Sequence, residues 1–217
     1  MTSFYLDKLY PLQDKVLQTI SAHLGNFPLY LTGGTCLSRG YFNHRFSQDL
    51  DLFYHDPQTG TAKVKSLIDS LSQAYSLEKT LTTPDLQSVS IEGILKVDFV
   101  RDVGKHWGPY TQHQIYPLLD NLDNILANKI TAIMDRDEVK DIVDFWIIAK
   151  SSPINWPTMF TGVDTKAAGI LPPLFAKRLD EFPLSWLSKI DWIMTPPLPQ
   201  SFKNELNTII NQILEPD

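Results

Sequence analysis

Two aspartates one residue apart, Asp49 and Asp51 in Gln48-Asp-Leu-Asp-Leu-Phe-Tyr54, are the first residues here that could build a reaction site. The spacing alone is a weak signal. With 19 aspartates in 217 residues such pairs arise by accident, and a second stands at Asp135 and Asp137. Surroundings separate the two. The first pair alternates with Leu50, Leu52 and Tyr54, so a strand would turn both carboxylates to one face and the apolar side chains to the other. Two unpaired carboxylates on one face repel each other and resist burial. A divalent cation removes that cost, and Mg²⁺ takes carboxylate oxygens, keeps several waters and bridges to substrate phosphates. The second pair falls in a charged turn between two helical patterns, where solvation suffices. Asp98, in Leu95-Lys-Val-Asp-Phe-Val100, is a third acid inside an apolar strand. Alone it reads equally well as an edge-strand acid. Beside Asp49 and Asp51 it completes the carboxylate set of a two-metal phosphoryl-transfer site.

A glycine pair strengthens the pattern. Gly33-Gly34-Thr35 follows the apolar stretch Phe27-Pro-Leu-Tyr-Leu-Thr32 and opens a short helical segment. Glycines there let the backbone approach a ligand closely, and N–H groups at a helix start favour phosphate. A plain turn is the bland alternative. Among the histidines, His44 and His55 flank the aspartate pair and could touch substrate, whereas His23, His106 and His113 show no ligand spacing. The lone Cys36 cannot form an intrachain disulfide and reads as a small core residue.

The elements that must position these residues follow from periodicity. Leu9, Leu12, Val16, Leu17, Ile20 and Leu24 have helical spacing over 5–24, and Gly25-Asn26 ends that helix. A buried strand over 27–32, a short helix over 35–42, a loop over 43–48 and a strand over 49–54 come next. An amphipathic helix covers 61–75. Strands at Leu86–Glu92 and Leu95–Val100 are joined by a turn at Glu92-Gly93. This order predicts an α/β (α+β) core around a small mixed sheet. After about residue 120 the pattern turns helical, with helices over 122–134, capped by Asp120 or Asn121, and over 138–150. The tail, 151–217, carries nine of the fifteen prolines and three of the five tryptophans and reads as short helices packed in a C-terminal helical lobe. The division expected is 1–118 for the core and 119–217 for the lobe.

Composition bounds the partners. Hydrophobic residues at 43% suffice for a real core, and a net charge of −6 excludes a broadly basic nucleic-acid-binding surface, though one local basic patch could still hold a phosphate backbone. Neither a signal peptide nor an apolar run of membrane-spanning length is visible, so no membrane association is expected and a cytoplasmic location is.

Leu31-Thr-Gly33-Gly34-Thr35, followed by Arg45-Phe-Ser47-Gln-Asp49-Leu-Asp51-Leu, resembles the first motif of the polymerase-β-like nucleotidyltransferases. More narrowly, it is similar to the AbiEii/AbiGii toxin family, with its Gly-Gly and Arg-x-Ser-x-Asp-hydrophobic-Asp pattern. Lys129-Ile-Thr-Ala132, then Arg136 and Lys140-Asp141-Ile-Val-Asp144, resembles that family's later helical signature. The resemblance covers about residues 29–150 and departs at Lys140, where the family often has arginine.

The resemblance implies a polymerase-β-like core in which Asp49, Asp51 and Asp98 bind Mg²⁺ or Mn²⁺. It implies that Gly33, Gly34, Thr35, Arg45 and Ser47 lie toward the nucleotide, that Lys129 contacts its phosphates, and that Asp141, with Asp144 beside it, supports catalysis. The activity implied is transfer of NMP from an NTP to RNA, such as a tRNA 3′ end, or to a protein, by a toxin with a cognate antitoxin. A small-molecule acceptor, as in antibiotic nucleotidyltransferases, and a degenerate fold serving as a binding module are the competing readings. Retention of the three acids and Lys129 argues against degeneration.

Overall fold

The computed structural model describes residues 2–215. Residues 1–103 and 109–121 form one compact unit, and 104–108 with 122–217 form a second.

The first unit is built on a seven-stranded mixed sheet in the order β3-β4-β5-β2-β1-β7-β6. Its strands are β1 (Tyr30–Thr32), β2 (Leu50–Tyr54), β3 (Leu77–Thr82), β4 (Leu86–Ile91), β5 (Leu95–Arg101), β6 (Thr111–His113) and β7 (Tyr116–Leu119). The chain enters through α1 (Thr2–Phe4), a wide π-type turn and α2 (Tyr10–Leu24), then forms α3 (Gly33–Leu37) directly after β1 and α4 (Gly60–Ala74) after β2. In β2, Leu50, Leu52 and Tyr54 are buried while Asp51 and Phe53 are partly open, the alternation expected of a strand with one covered face. Helices α2 and α4 pack on each other through rows of buried Val, Ile and Leu, and α2 also meets β7.

The sheet is wider than the sequence indicates. The β4–β5 hairpin turns at Glu92 and Gly93, both at positive φ, as the turn chemistry predicts. The strands β3, β6 and β7 go beyond the expected set. Most of β3 is exposed, so no apolar alternation marks it. The short β7 contains Pro117, a residue that argues against a strand in sequence.

The second unit is helical: α5 (Leu122–Asp135), α6 (Val139–Ser151), α7 (Trp156–Lys166), α8 (Pro172–Asp180), a 3₁₀ turn over Leu184–Lys189 and α9 (Pro199–Leu214). Four of the tail's prolines, Pro157, Pro172, Pro173 and Pro199, begin helices rather than break them. Each of α7, α8 and α9 has proline in its first two positions, where the missing N–H costs no helical hydrogen bond. The aromatic residues form its core. Phe145 meets Phe175 edge-on at 5.1 Å between ring centres, and Trp146 lies 5.0 Å from Phe202.

Candidate active site

Asp51 and Asp98 face the same way because β2 and β5 run parallel with those two residues as register partners. On β4, Ser88 pairs with Asp98, and on β1, Thr32 pairs with Asp51. Thr32 Oγ1 in turn donates a 2.6 Å hydrogen bond to Asp120 Oδ2 just beyond β7. Ser88, Asp98, Asp51, Thr32 and Asp120 thus form a polar row across the sheet, on the face opposite Leu50 and Leu52. Asp49 precedes β2 by one residue, and its backbone carbonyl accepts a 2.5 Å hydrogen bond from Thr35 Oγ1.

The glycine pair is required by what surrounds it. Gly33 has φ +68°, and a Cβ there would stand 2.0 Å from Asp51 Oδ2. A Cβ on Gly34 would stand 2.5 Å from Arg45 Nη2 and 2.9 Å from Ser47 Oγ. Gly33, Gly34, Arg45, Ser47 and Asp51 are therefore one contiguous arrangement, with Thr35 tied to Asp49. Arg45 and Ser47 are both buried, and Arg45 Nη1 donates to the Phe46 carbonyl at 2.9 Å.

The loop carrying Ser47 is held by a residue the motif does not include. Gln13 of α2 is fully buried. Its amide nitrogen donates to the carbonyls of Ser47 (3.2 Å) and Gln48 (2.9 Å), and its oxygen accepts from Arg39 Nη1 (3.0 Å). A glutamine in helical register with Leu9 and Leu17, on an apolar face, is the signal that could have exposed it. Asp120 and Ser88 had no such signal, because their placement depends on strand pairing.

Asp98 is engaged from both sides. Ser88 Oγ donates to Oδ1 at 2.5 Å, and the Lys96 ammonium lies 2.6 Å from Oδ2. Burial acts to lower the Lys96 pKa, but the hydrogen bond to Asp98 and the charges of Asp98, Asp49 and Asp51 outweigh it and leave it raised. Among the described residues no three His, Cys, Asp or Glu side chains form a ready-made metal cage. The donor chemistry nonetheless fits Mg²⁺ or Mn²⁺: hard carboxylate oxygens from adjacent strands on one face, with no side chain at Gly33 over Asp51.

The remaining candidates have structural partners. Both ring nitrogens of His55 are engaged, by the Asp102 carbonyl (2.9 Å) and by Tyr30 Oη (3.3 Å). His44 is fully buried, and Cys36 is a core residue whose thiol is pushed well up by burial and by the charges of Asp120 and Asp51.

In the helical unit, Lys129 of α5 joins two acids of α6. Its ammonium lies 2.8 Å from Asp141 Oδ1 and 2.7 Å from Asp144 Oδ2, and Arg136 Nε lies 2.8 Å from Asp141 Oδ2. Asp141 and Asp144 are completely buried. Burial alone would raise the Asp141 carboxyl, but the Lys129 and Arg136 cations hold it below the usual range. The Asp137 side chain of the turn pairs with Arg178.

The sequence profile described as nucleotidyl transferase AbiEii toxin, type IV toxin–antitoxin system, matches residues 15–168. No curated protein matches the chain. Among solved structures, the nucleotidyltransferase toxin MenT4 from Mycobacterium tuberculosis H37Rv superposes with a TM-score of 0.63 at 16% identity, over 96% of this chain and 84% of its own. A protein from H. pylori solved as a candidate nucleotidyltransferase gives 0.62 at 19% identity over 96% of both chains. The antibiotic-resistance factor ANT(2'')-Ia gives 0.54 at 12% identity, over 70% of this chain and 90% of its own. These likenesses establish the fold, that of the polymerase-β-like nucleotidyltransferases. With the profile match over most of its length, the chain belongs to the AbiEii family of nucleotidyltransferase toxins.

Proposed function

We propose that this enzyme transfers NMP from an NTP to an RNA 3′ hydroxyl, with a tRNA end as acceptor, and that Asp49, Asp51 and Asp98 hold the divalent cation. The observation that carries the metal role is the register that sets Asp51 beside Asp98 on one sheet face. A bound Mg²⁺ or Mn²⁺ supplies charge compensation for the triphosphate and a more acidic acceptor hydroxyl. The protein's own contribution is placement. Thr35 fixes Asp49 through its backbone, and Ser88 fixes Asp98. The bare backbone at Gly33 and Gly34 lets the Asp51 carboxylate and the Arg45 and Ser47 side chains close up against the turn, where Arg45 and Ser47 offer donors to phosphate. On the family resemblance, Lys129 contributes to phosphate binding and Asp141 to catalysis. The ion pairs of Lys129 with Asp141 and Asp144 add a positioning task to that role.

Membership in a toxin family favours a macromolecular acceptor, because inhibiting growth requires damage to something the cell cannot spare. A cognate antitoxin is the expected protein partner. Among the described residues no helix is long and apolar enough to cross a membrane.

The test is incubation with each labelled NTP, Mg²⁺ and total RNA or total protein, with the Asp51→Asn variant as control. Label on RNA 3′ ends that disappears with the variant is the expected result. Label on protein or small molecules alone would replace the acceptor, and wild-type transfer by Asp51→Asn would remove Asp51 from the site.

A further inference from the structure

Lys96 is a cation on the acidic face that neither the motif nor the family resemblance accounts for. It enters that face through β5, where Lys96 and Asp98 are two residues apart and so point the same way. Its ammonium contacts Asp98 Oδ2 at 2.6 Å and feels the charges of Asp49 and Asp51 as well. The two partners differ in freedom. The Lys96 side chain is 51% exposed, whereas Asp98 is 14% exposed and also takes the Ser88 hydroxyl. The half-exposed lysine head can therefore swing into water, where an ammonium is strongly hydrated. Asp98 has no comparable way out.

We propose that Lys96 is a positioning residue: the resident counter-cation of the carboxylate face, holding Asp98 in place until a divalent ion arrives with its nucleotide and displaces it. The inference rests on the proposed metal role of Asp49, Asp51 and Asp98. Three carboxylates on one face repel each other, and the ammonium relieves this before substrate binds. A divalent ion entering alone must compete with that ammonium for Asp98 and is repelled by it. An ion entering with a triphosphate brings its own negative charge, which the displaced ammonium can face at no loss. Lys96 thereby makes metal uptake depend on nucleotide.

The test is Mn²⁺ titration of the full chain, read from the electron paramagnetic resonance signal of the free ion, with and without a non-hydrolysable NTP analogue. Lys96→Met is expected to bind Mn²⁺ about tenfold more tightly than wild type when no nucleotide is present, the scale of repulsion between a monovalent and a divalent cation a few ångströms apart near water. Lys96→Arg should restore wild-type affinity, and the analogue should erase the difference between Lys96→Met and wild type. Lys96→Gln replaces the Met variant if that variant fails to fold. Equal or weaker nucleotide-free binding by Lys96→Met would overturn the proposal while leaving the metal reading intact. Failure of wild type and variant alike to take up Mn²⁺, even with the analogue, would overturn the metal reading and the proposal with it.

Discussion

Replacing Gly33 by alanine should inactivate the enzyme out of proportion to the stability it loses, and a second glycine supplies the control. Gly33 and Gly93 have nearly the same φ, +68° and +66°. An alanine in that left-handed region costs about 1–2 kcal/mol wherever it occurs. At Gly93 nothing lies within 4 Å of the new Cβ, so strain is the whole effect. That corresponds to a fall in Tm of roughly 2–4 °C per kcal/mol for a chain of this size. At Gly33 the new Cβ stands 2.0 Å from Asp51 Oδ2, so the carboxylate must move. Forcing it off its rotamer adds about 0.5–1.5 kcal/mol. Displacing a reacting group by about 1 Å costs on the order of a hundredfold in rate. Urea unfolding should therefore show Gly33→Ala somewhat less stable than Gly93→Ala, while NTP transfer falls at least a hundredfold in the first and stays at wild-type level in the second. Wild-type transfer by Gly33→Ala would refute the contact between the glycine turn and the carboxylate as a functional one.

Three further outcomes are expected. Lys129→Met leaves two buried carboxylates with one fewer cation and should cost about 3–5 kcal/mol in chemical denaturation, with Lys129→Met/Asp144→Asn recovering part of it. Because the Asp141 carboxyl is held below its ordinary range, its stabilisation is complete above about pH 4 and is lost as pH falls through the lower folded value. Denaturation midpoints measured from neutral to acid pH should accordingly fall less steeply below pH ~4 for Asp141→Asn than for wild type. Gln13→Leu removes two donors to the Ser47 and Gln48 carbonyls, so it should cost about 1–3 kcal/mol and speed amide hydrogen exchange in residues 44–49; unchanged exchange there would mean the loop is held by other contacts.

Local patterns were readable where one segment decides its own form. The helix over 61–75 is found at Gly60–Ala74, and those over 122–134 and 138–150 at Leu122–Asp135 and Val139–Ser151, because each carries an apolar stripe of its own. The Asp51 strand and the Glu92-Gly93 hairpin were equally legible, one from alternation and the other from turn chemistry. What escaped was decided by partners distant in sequence. An exposed strand such as Leu77–Thr82 exists because Leu86–Ile91 offers it an edge, and nothing in its composition says so. The same holds for the site. The family motif singled out Asp49, Asp51 and the glycine pair, but Ser88 and Asp120 acquire their neighbours through strand pairing. Lys96, two residues from Asp98 on its own strand, comes near Asp51 only because β5 pairs with β2. The expected tether of Lys129 to phosphate was drawn from resemblance, whereas its burial between Asp141 and Asp144 emerges only when α5 and α6 are packed.

The polar row across the sheet has a consequence for how the enzyme comes into being. Its members are contributed by β1, β2, β4, β5 and the residue after β7, and the order of strands in space differs from their order in the chain. During synthesis Asp49 and Asp51 leave the ribosome long before Asp98, and Asp120 follows later still. A nascent chain that ends before β5 holds the D-x-D motif without the strand that sets Asp98 beside it, and a one-residue slip in pairing would send Asp98 to the apolar face. On the proposed metal role of the three acids, chain length and correct strand pairing thus act together as a safety catch. A ribosome carrying a half-made copy carries one that cannot assemble the cation site.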